Sequence, residues 1–125
     1  VLKRVDAGES LTGMNLILPF GTVQLQDNYG DNPVDTLPVH ALRIGDVALV
    51  TQPCELYCQF GLDIKRRSPA PHTAVVGLAD GYCGYCPTIA GGYPGQPISW
   101  TRLEPYAGYR IVEAAGPMLN RLWGN

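Results

Sequence analysis

The sequence predicts an α/β fold: a mixed sheet built on a β-hairpin, one crossover helix and a C-terminal helix. Three observations carry this. Val39-His40-Ala41-Leu42-Arg43-Ile44 alternates, Gly45-Asp46 follows, and Val47-Ala48-Leu49-Val50 is an apolar run, so two strands meet at a two-residue glycine turn. Leu56, Phe60 and Ile64 then recur at four-residue spacing, the stripe of an amphipathic helix. Thr73–Ala79 is a second apolar run. Strand, helix and strand in that order imply a right-handed crossover onto a parallel neighbour, which makes the sheet mixed.

Composition sets the frame. A chain of 125 residues suits one domain, and 46% apolar with 16% charged residues is globular usage rather than a disordered tail. The net charge of −2 argues against a nucleic-acid binder, which would carry a basic excess or face. No apolar run approaches the roughly 20 residues of a membrane-spanning helix. Val1–Asp6 lacks the apolar core and cleavage site of a signal peptide, so the chain is read either as cytosolic or as starting after such a segment. Gly (15) and Pro (11) make up about a fifth of the chain, which leaves room for few regular elements.

The first stretch, residues 1–36, is the least informative. Met14–Phe20 and Thr22–Gln26 read as short extended pieces broken at Pro19 and Gly21, the second alternating as a half-buried strand does. Asp27–Pro33 is dense in turn formers and reads as an exposed loop. In the hairpin, Val39, Ala41 and Arg43 share one face and His40, Leu42 and Ile44 the other. The order Gly-Asp favours a type II′ turn, which needs positive φ only at its first central residue.

The helix is predicted over 53–67. Pro53 suits a first turn, where its missing N–H has no partner to lose, and Lys65-Arg66-Arg67 suit a last turn, opposite the negative end of the helix dipole. Ser68-Pro69-Ala70-Pro71 ends it. After the strand at 73–79 comes a Gly-, Pro- and Tyr-rich loop to about Glu104, then a terminal helix. Ile111, Ala114 or Ala115, Met118 and Leu122 fall at helical spacing there, and Gly116-Pro117 should kink or break it.

Chemistry has several candidate seats. Cys54, Cys58, Cys83 and Cys86 form C-x3-C and C-x2-C pairs, open to a tetrathiolate zinc site, to one or two disulfides, or to buried thiols acting as small hydrophobes. Glu55 stands at a predicted helix N-terminus directly after a strand. That is either favourable dipole placement or a ligand or base at the carboxyl edge of the sheet, where open α/β folds put their sites. Asp80-Gly81-Tyr82-Cys83-Gly84-Tyr85 also follows a strand, so parallel neighbours would bring Glu55 and this loop to one edge. His40, mid-strand, and His72, at the opposite edge from Glu55, lack metal-site spacing and read as structural.

These segments together resemble a known family. Leu42–Val50, Pro53-Cys54-Glu55, Pro71–Ala79 and Gly81-Tyr82-Cys83-Gly84-Tyr85-Cys86-Pro87-Thr88 are similar to the neutral/alkaline non-lysosomal ceramidase family, especially its shorter bacterial members. The likeness covers 37–88 well, follows more loosely at Tyr93 and 103–122, and hardly touches 1–36. It implies that residues 1–125 are a single domain or the C-terminal portion of a larger catalytic domain. It also implies hydrolysis of a lipid amide with a zinc ion held by two histidines, a glutamate and a tyrosine. Carried over by position, the glutamate is Glu55 and the tyrosine Tyr85, with Tyr82 the second choice. Tyr93 matches a further tyrosine that assists the reaction, although Pro94 stands where an acidic residue usually follows.

The departures matter as much. Cys54 replaces a glycine, and Cys83 and Cys86 stand where aliphatic residues are usual, which favours buried thiols or a disulfide over a zinc knuckle. The family's two zinc-binding histidines lie in an upstream segment that this chain does not contain. Glu55 and Tyr85 are two ligands, below the usual three, so activity implies an upstream segment or a second chain completing the site. Relatives are often exported, which implies an extracellular or periplasmic setting. The alternative is a non-catalytic structural or assembly module that keeps the sheet without a complete metal site.

Overall fold

A computed structural model describes residues 2–10, 12–91 and 102–124. Two helices come first, α1 (Leu2–Asp6) and α2 (Met14–Tyr29), then strands β1 (His40–Ile44) and β2 (Val47–Thr51). A two-residue strand β3 (Glu55–Leu56) precedes helix α3 (Cys58–Arg67). Strands β4 (His72–Val76) and β5 (Tyr85–Cys86) and helix α4 (Ala107–Trp123) complete the order.

The predicted mixed sheet is present, in the order β1-β2-β4. β1 and β2 pair antiparallel from His40↔Thr51 to Ile44↔Val47. In the turn between them Gly45 has φ 59° while Asp46 keeps a negative φ, the type II′ pattern. β2 and β4 pair parallel from Val47↔His72 to Thr51↔Val76, with α3 as the crossover. Strand β2 is central, and its Ala48 and Val50 are fully buried.

One face of the sheet is covered. Helix α4 packs on β1 and α3, and α3 packs on β4. Phe60 and Ile64 of α3 and Ile111, Val112, Ala115 and Leu119 of α4 join Ala48 and Val50 in the core. The Phe60 ring lies so close to Gly108 that a Cβ there would overlap its Cε2 and Cζ, and it meets Tyr109 edge-on at 5.0 Å. Arg43 shares the core-facing side with Ala41, as alternation predicts. Its guanidinium sits 4.4 Å over the Trp123 ring, and Nη1 donates to the Leu122 carbonyl at 2.9 Å, a cation on the negative end of α4. On the other face, Leu42, Ile44, Val47 and Val76 are exposed.

The structure corrects the sequence reading at three elements. Residues 14–29 form one helix, not two extended pieces. Pro19 is its sixth residue and forfeits only the bond to the Asn15 carbonyl, while its fixed φ is itself helical. Leu16, Ile17, Phe20 and Val23 are all exposed, and among the described side chains of the helix none is fully buried. Helix α3 begins at Cys58 rather than Pro53, because the backbone of Glu55 and Leu56 is committed to pairing with β5. Leu56 still packs against the core, but from a strand.

The third correction concerns α4, which runs through Pro117 without a break. Pro117 and Glu113 are both exposed, so the carbonyl that loses its partner can bond to water. The buried stripe is Gly108, Ile111, Val112, Ala115 and Leu119. Leu119 is 0% exposed and Met118 36%, and Leu122 is only half-buried.

Candidate functional site

The site grows out of the parallel pairing of β2 with β4. Beyond Thr51 the two chains stay together: Gln52 N–H donates to the Val76 carbonyl at 3.1 Å, and Ala79 N–H to the Gln52 carbonyl at 3.1 Å. Gln52 is fully buried, and its side-chain amide bonds both the N–H and the carbonyl of Cys54, which fixes the bend at Pro53-Cys54. The partner strand detours through 78–84, where Leu78 (φ 56°) and Asp80 (φ 60°) take the left-handed conformation. Non-glycine residues seldom do so, and such positions cluster at functional sites. Pairing then resumes as β3 with β5, held by Glu55 N–H to the Gly84 carbonyl at 2.9 Å and Tyr57 N–H to the Cys86 carbonyl at 3.1 Å.

In this second ladder Glu55 faces Tyr85 directly. The two sequence-predicted ligands therefore meet, although Glu55 sits on a strand rather than at a helix N-terminus. A parallel ladder needs no turn between its strands, so it joins residues from either side of α3 and β4. Tyr82, from the detour, donates its hydroxyl to Glu55 Oε1 at 3.1 Å. Both tyrosines weighed from the sequence thus reach the same carboxylate. Tyr93 lies outside the described residues.

Electrostatics follow from that carboxylate. The Tyr85 phenol is pushed above its ordinary value first by hydrogen bonding to Glu55, then by the negative charge there. Tyr82 is raised by burial first and by its hydrogen bond to Glu55 second, while Arg102 works against the rise. The Arg102 guanidinium stands 5.6 Å from the Tyr82 ring centre. Tyr57 also acts on Tyr85. Sequence reasoning did not single out Tyr57 or Arg102. Neither belongs to a spaced motif, and Arg102 comes from well beyond β5.

Glu55 also borders a cavity of about 490 Å³ whose wall includes Leu56, Leu62, Val75, Leu78 and Lys65. A carboxylate with two phenols beside an apolar hollow can bind a cation or hydrogen-bond a polar group while the hollow takes an apolar one. A carboxylate oxygen such as those of Glu55 is an ordinary zinc donor, whereas a phenol such as that of Tyr85 becomes one only when a nearby cation favours its ionised form. Among the described residues no group of three or more His, Cys, Asp and Glu side chains is placed to hold a metal ion.

The histidines stand apart from one another. His72 begins β4 opposite Val47, at the sheet edge away from Glu55, as expected. His40 begins β1 rather than lying mid-strand, at the edge where β2 and β4 end, and its Nε2 is 3.1 Å from Asp80. Of the cysteines, Cys54, Cys83 and Cys86 are buried and Cys58 is exposed, all as thiols. The sulfurs of Cys54 and Cys83 are 2.8 Å apart. Hydrogen bonding to Cys83 and Cys86, then burial, pushes the Cys54 thiol far up.

Fold and site together define an α/β domain with a carboxylate–phenol cluster at the carboxyl edge of its sheet. Compared with known proteins, the chain matches no family model, no curated protein and no solved structure.

Proposed function

We propose that the chain is part of a ceramidase-like, zinc-dependent amidohydrolase and carries half of its metal site, Glu55 and Tyr85. The observation that carries this reading is the Glu55↔Tyr85 register, which sets a carboxylate and a phenol side by side from segments 30 residues apart in the chain. Glu55 supplies the anionic oxygens. Tyr82 holds Oε1 and so orients the carboxylate, and Tyr85 presents its oxygen from the facing strand. When bound, zinc would polarise the amide carbonyl and bring the pKa of the attacking water toward about 7. A nearby cation would also oppose the rise that Glu55 imposes on the Tyr85 phenol.

The histidine half belongs to an upstream segment or a second chain. The exposed Leu42, Ile44, Val47 and Val76 support a further polypeptide, because parallel strands in α/β folds are ordinarily covered on both faces. A lipid amide is the substrate class, its apolar part lying in the hollow beside Glu55. Tyr93 would assist the reaction.

Zinc content tests the reading. The chain, produced with any segment its gene encodes upstream, is dialysed against zinc and assayed for release of fatty acid from an N-acyl sphingoid lipid. Glu55→Ala should abolish turnover with the fold intact, and Tyr85→Phe should weaken zinc far more than folding. Zinc lost only when the cysteines are replaced would overturn the assignment. Absence of zinc and turnover from every form would leave the assembly module as the function.

A further inference from the structure

Three buried cysteines play no part in that reading. Cys54 lies in the bend before β3, Cys83 in the detour before β5, and Cys86 within β5. Cys54 is 0% and Cys83 5% exposed, and their sulfurs are 2.8 Å apart. A disulfide needs about 2.05 Å, so the sulfurs are less than 1 Å from bonding distance. The backbones are already joined, because Cys83 N–H donates to the Pro53 carbonyl at 3.2 Å and Leu78 N–H to the Cys54 carbonyl at 3.3 Å. Cys86 is also buried beside Cys54, whereas Cys58, on the first turn of α3, faces solvent.

We propose that Cys54 and Cys83 are a disulfide-forming pair that, once oxidised, staples the Glu55 strand to the loop carrying Tyr82. Cys86 remains a buried thiol and Cys58 an exposed one. The oxidant is a small-molecule disulfide. One protein thiolate attacks it, forming a mixed disulfide and releasing one small thiol. The second protein thiolate then attacks the mixed disulfide, closing the Cys54–Cys83 bond and releasing the other small thiol. Two protein sulfurs are oxidised, the external disulfide is reduced, and the two protons leave the cysteines for the released thiolates. The bond closes the chain over a separation of 29 residues. It fixes both sides of the candidate site whether or not a metal binds there.

The test is disulfide mapping of the unaltered chain. Protein equilibrated with oxidised glutathione, and a second sample with reduced glutathione, is alkylated in denaturant. Each is cut with trypsin and a glutamate-specific protease and examined by mass spectrometry without reduction. Cleavage after Glu55 separates Cys54 from Cys58, and Gly84 and Tyr85 allow fragment ions to tell Cys83 from Cys86. The expected product is the Cys54 peptide joined to the Cys83 site, two hydrogens lighter than the separate peptides, and absent from the reduced sample. Cys58→Ser should leave this link unchanged. A link through Cys86, or full alkylation of Cys54 and Cys83 after oxidation, would overturn the proposal.

Discussion

The contact between Phe60 and Gly108 makes two glycine-to-alanine substitutions move stability in opposite directions. Gly61 and Gly108 both lie within helices, α3 and α4. A Cβ on Gly61 meets nothing within 4 Å, so Gly61→Ala should gain the helix-propensity difference, about 0.8–1 kcal/mol. At Gly108 the same gain is opposed by overlap with the Phe60 ring, which is fully buried and cannot swing into solvent. Overpacking of this kind costs about 1–3 kcal/mol, and contact with three ring atoms points to the upper end. The net expectation is a loss of about 2 kcal/mol. At roughly 4 °C per kcal/mol for a chain of this size, Gly108→Ala should melt about 8 °C lower and Gly61→Ala about 3–4 °C higher. Thermal unfolding followed by circular dichroism, with urea titration as a check, reads both. Adding Phe60→Leu to Gly108→Ala should cost less than the two single changes together, because the ring that clashes has gone. A Gly108→Ala protein as stable as the parent would refute the packing of α3 on α4 described above.

Two further outcomes follow from the site and from α4. The phenols of Tyr82 and Tyr85 are raised in the folded state, so they favour folding below about pH 10, and this contribution is lost as pH climbs through their higher folded values. Glu55→Gln should bring part of the phenolate absorbance down toward pH 10 in an alkaline titration, and an unchanged curve would separate Glu55 from both rings. In α4, Leu119→Ala should lose about 2–5 kcal/mol and Met118→Ala under about 0.5 kcal/mol, measured by urea unfolding. Equal losses would mean that the helix is turned differently.

The hairpin and the parallel crossover were legible because each rests on local chemistry. Gly45 marks the turn, and Val47–Val50 and Thr73–Ala79 are apolar enough to announce strands, although the second strand runs over His72–Val76 and stops short of Gly77. Helix α2 was hidden because Leu16, Ile17, Phe20 and Val23 face outward and because Pro19 and Gly21 read as breaks in the chain. The α4 stripe was misplaced by one residue at Met118, since Met118 and Leu119 are both apolar and only packing on the sheet decides between them. Strands β3 and β5 have two residues each, too few for any period, and Pro53 offered a plausible helix start that long-range pairing overrode. Even so, Glu55 and the Tyr82–Tyr85 loop were correctly brought to one edge, because both follow strands that had to be parallel neighbours. Tyr57, Arg102 and the buried Gln52 escaped notice, since a glutamine after a strand ordinarily faces water.

Because Glu55 and Tyr85 are matched only by alignment across a two-rung ladder, chain length between them carries as much information as side-chain identity. Slippage by one rung would set Glu55 against Gly84 or Cys86 and turn the phenol to the reverse side of the strand. A single deletion inside Leu78–Gly84 would misalign the ladder and dismantle the cluster while leaving the three-stranded sheet standing.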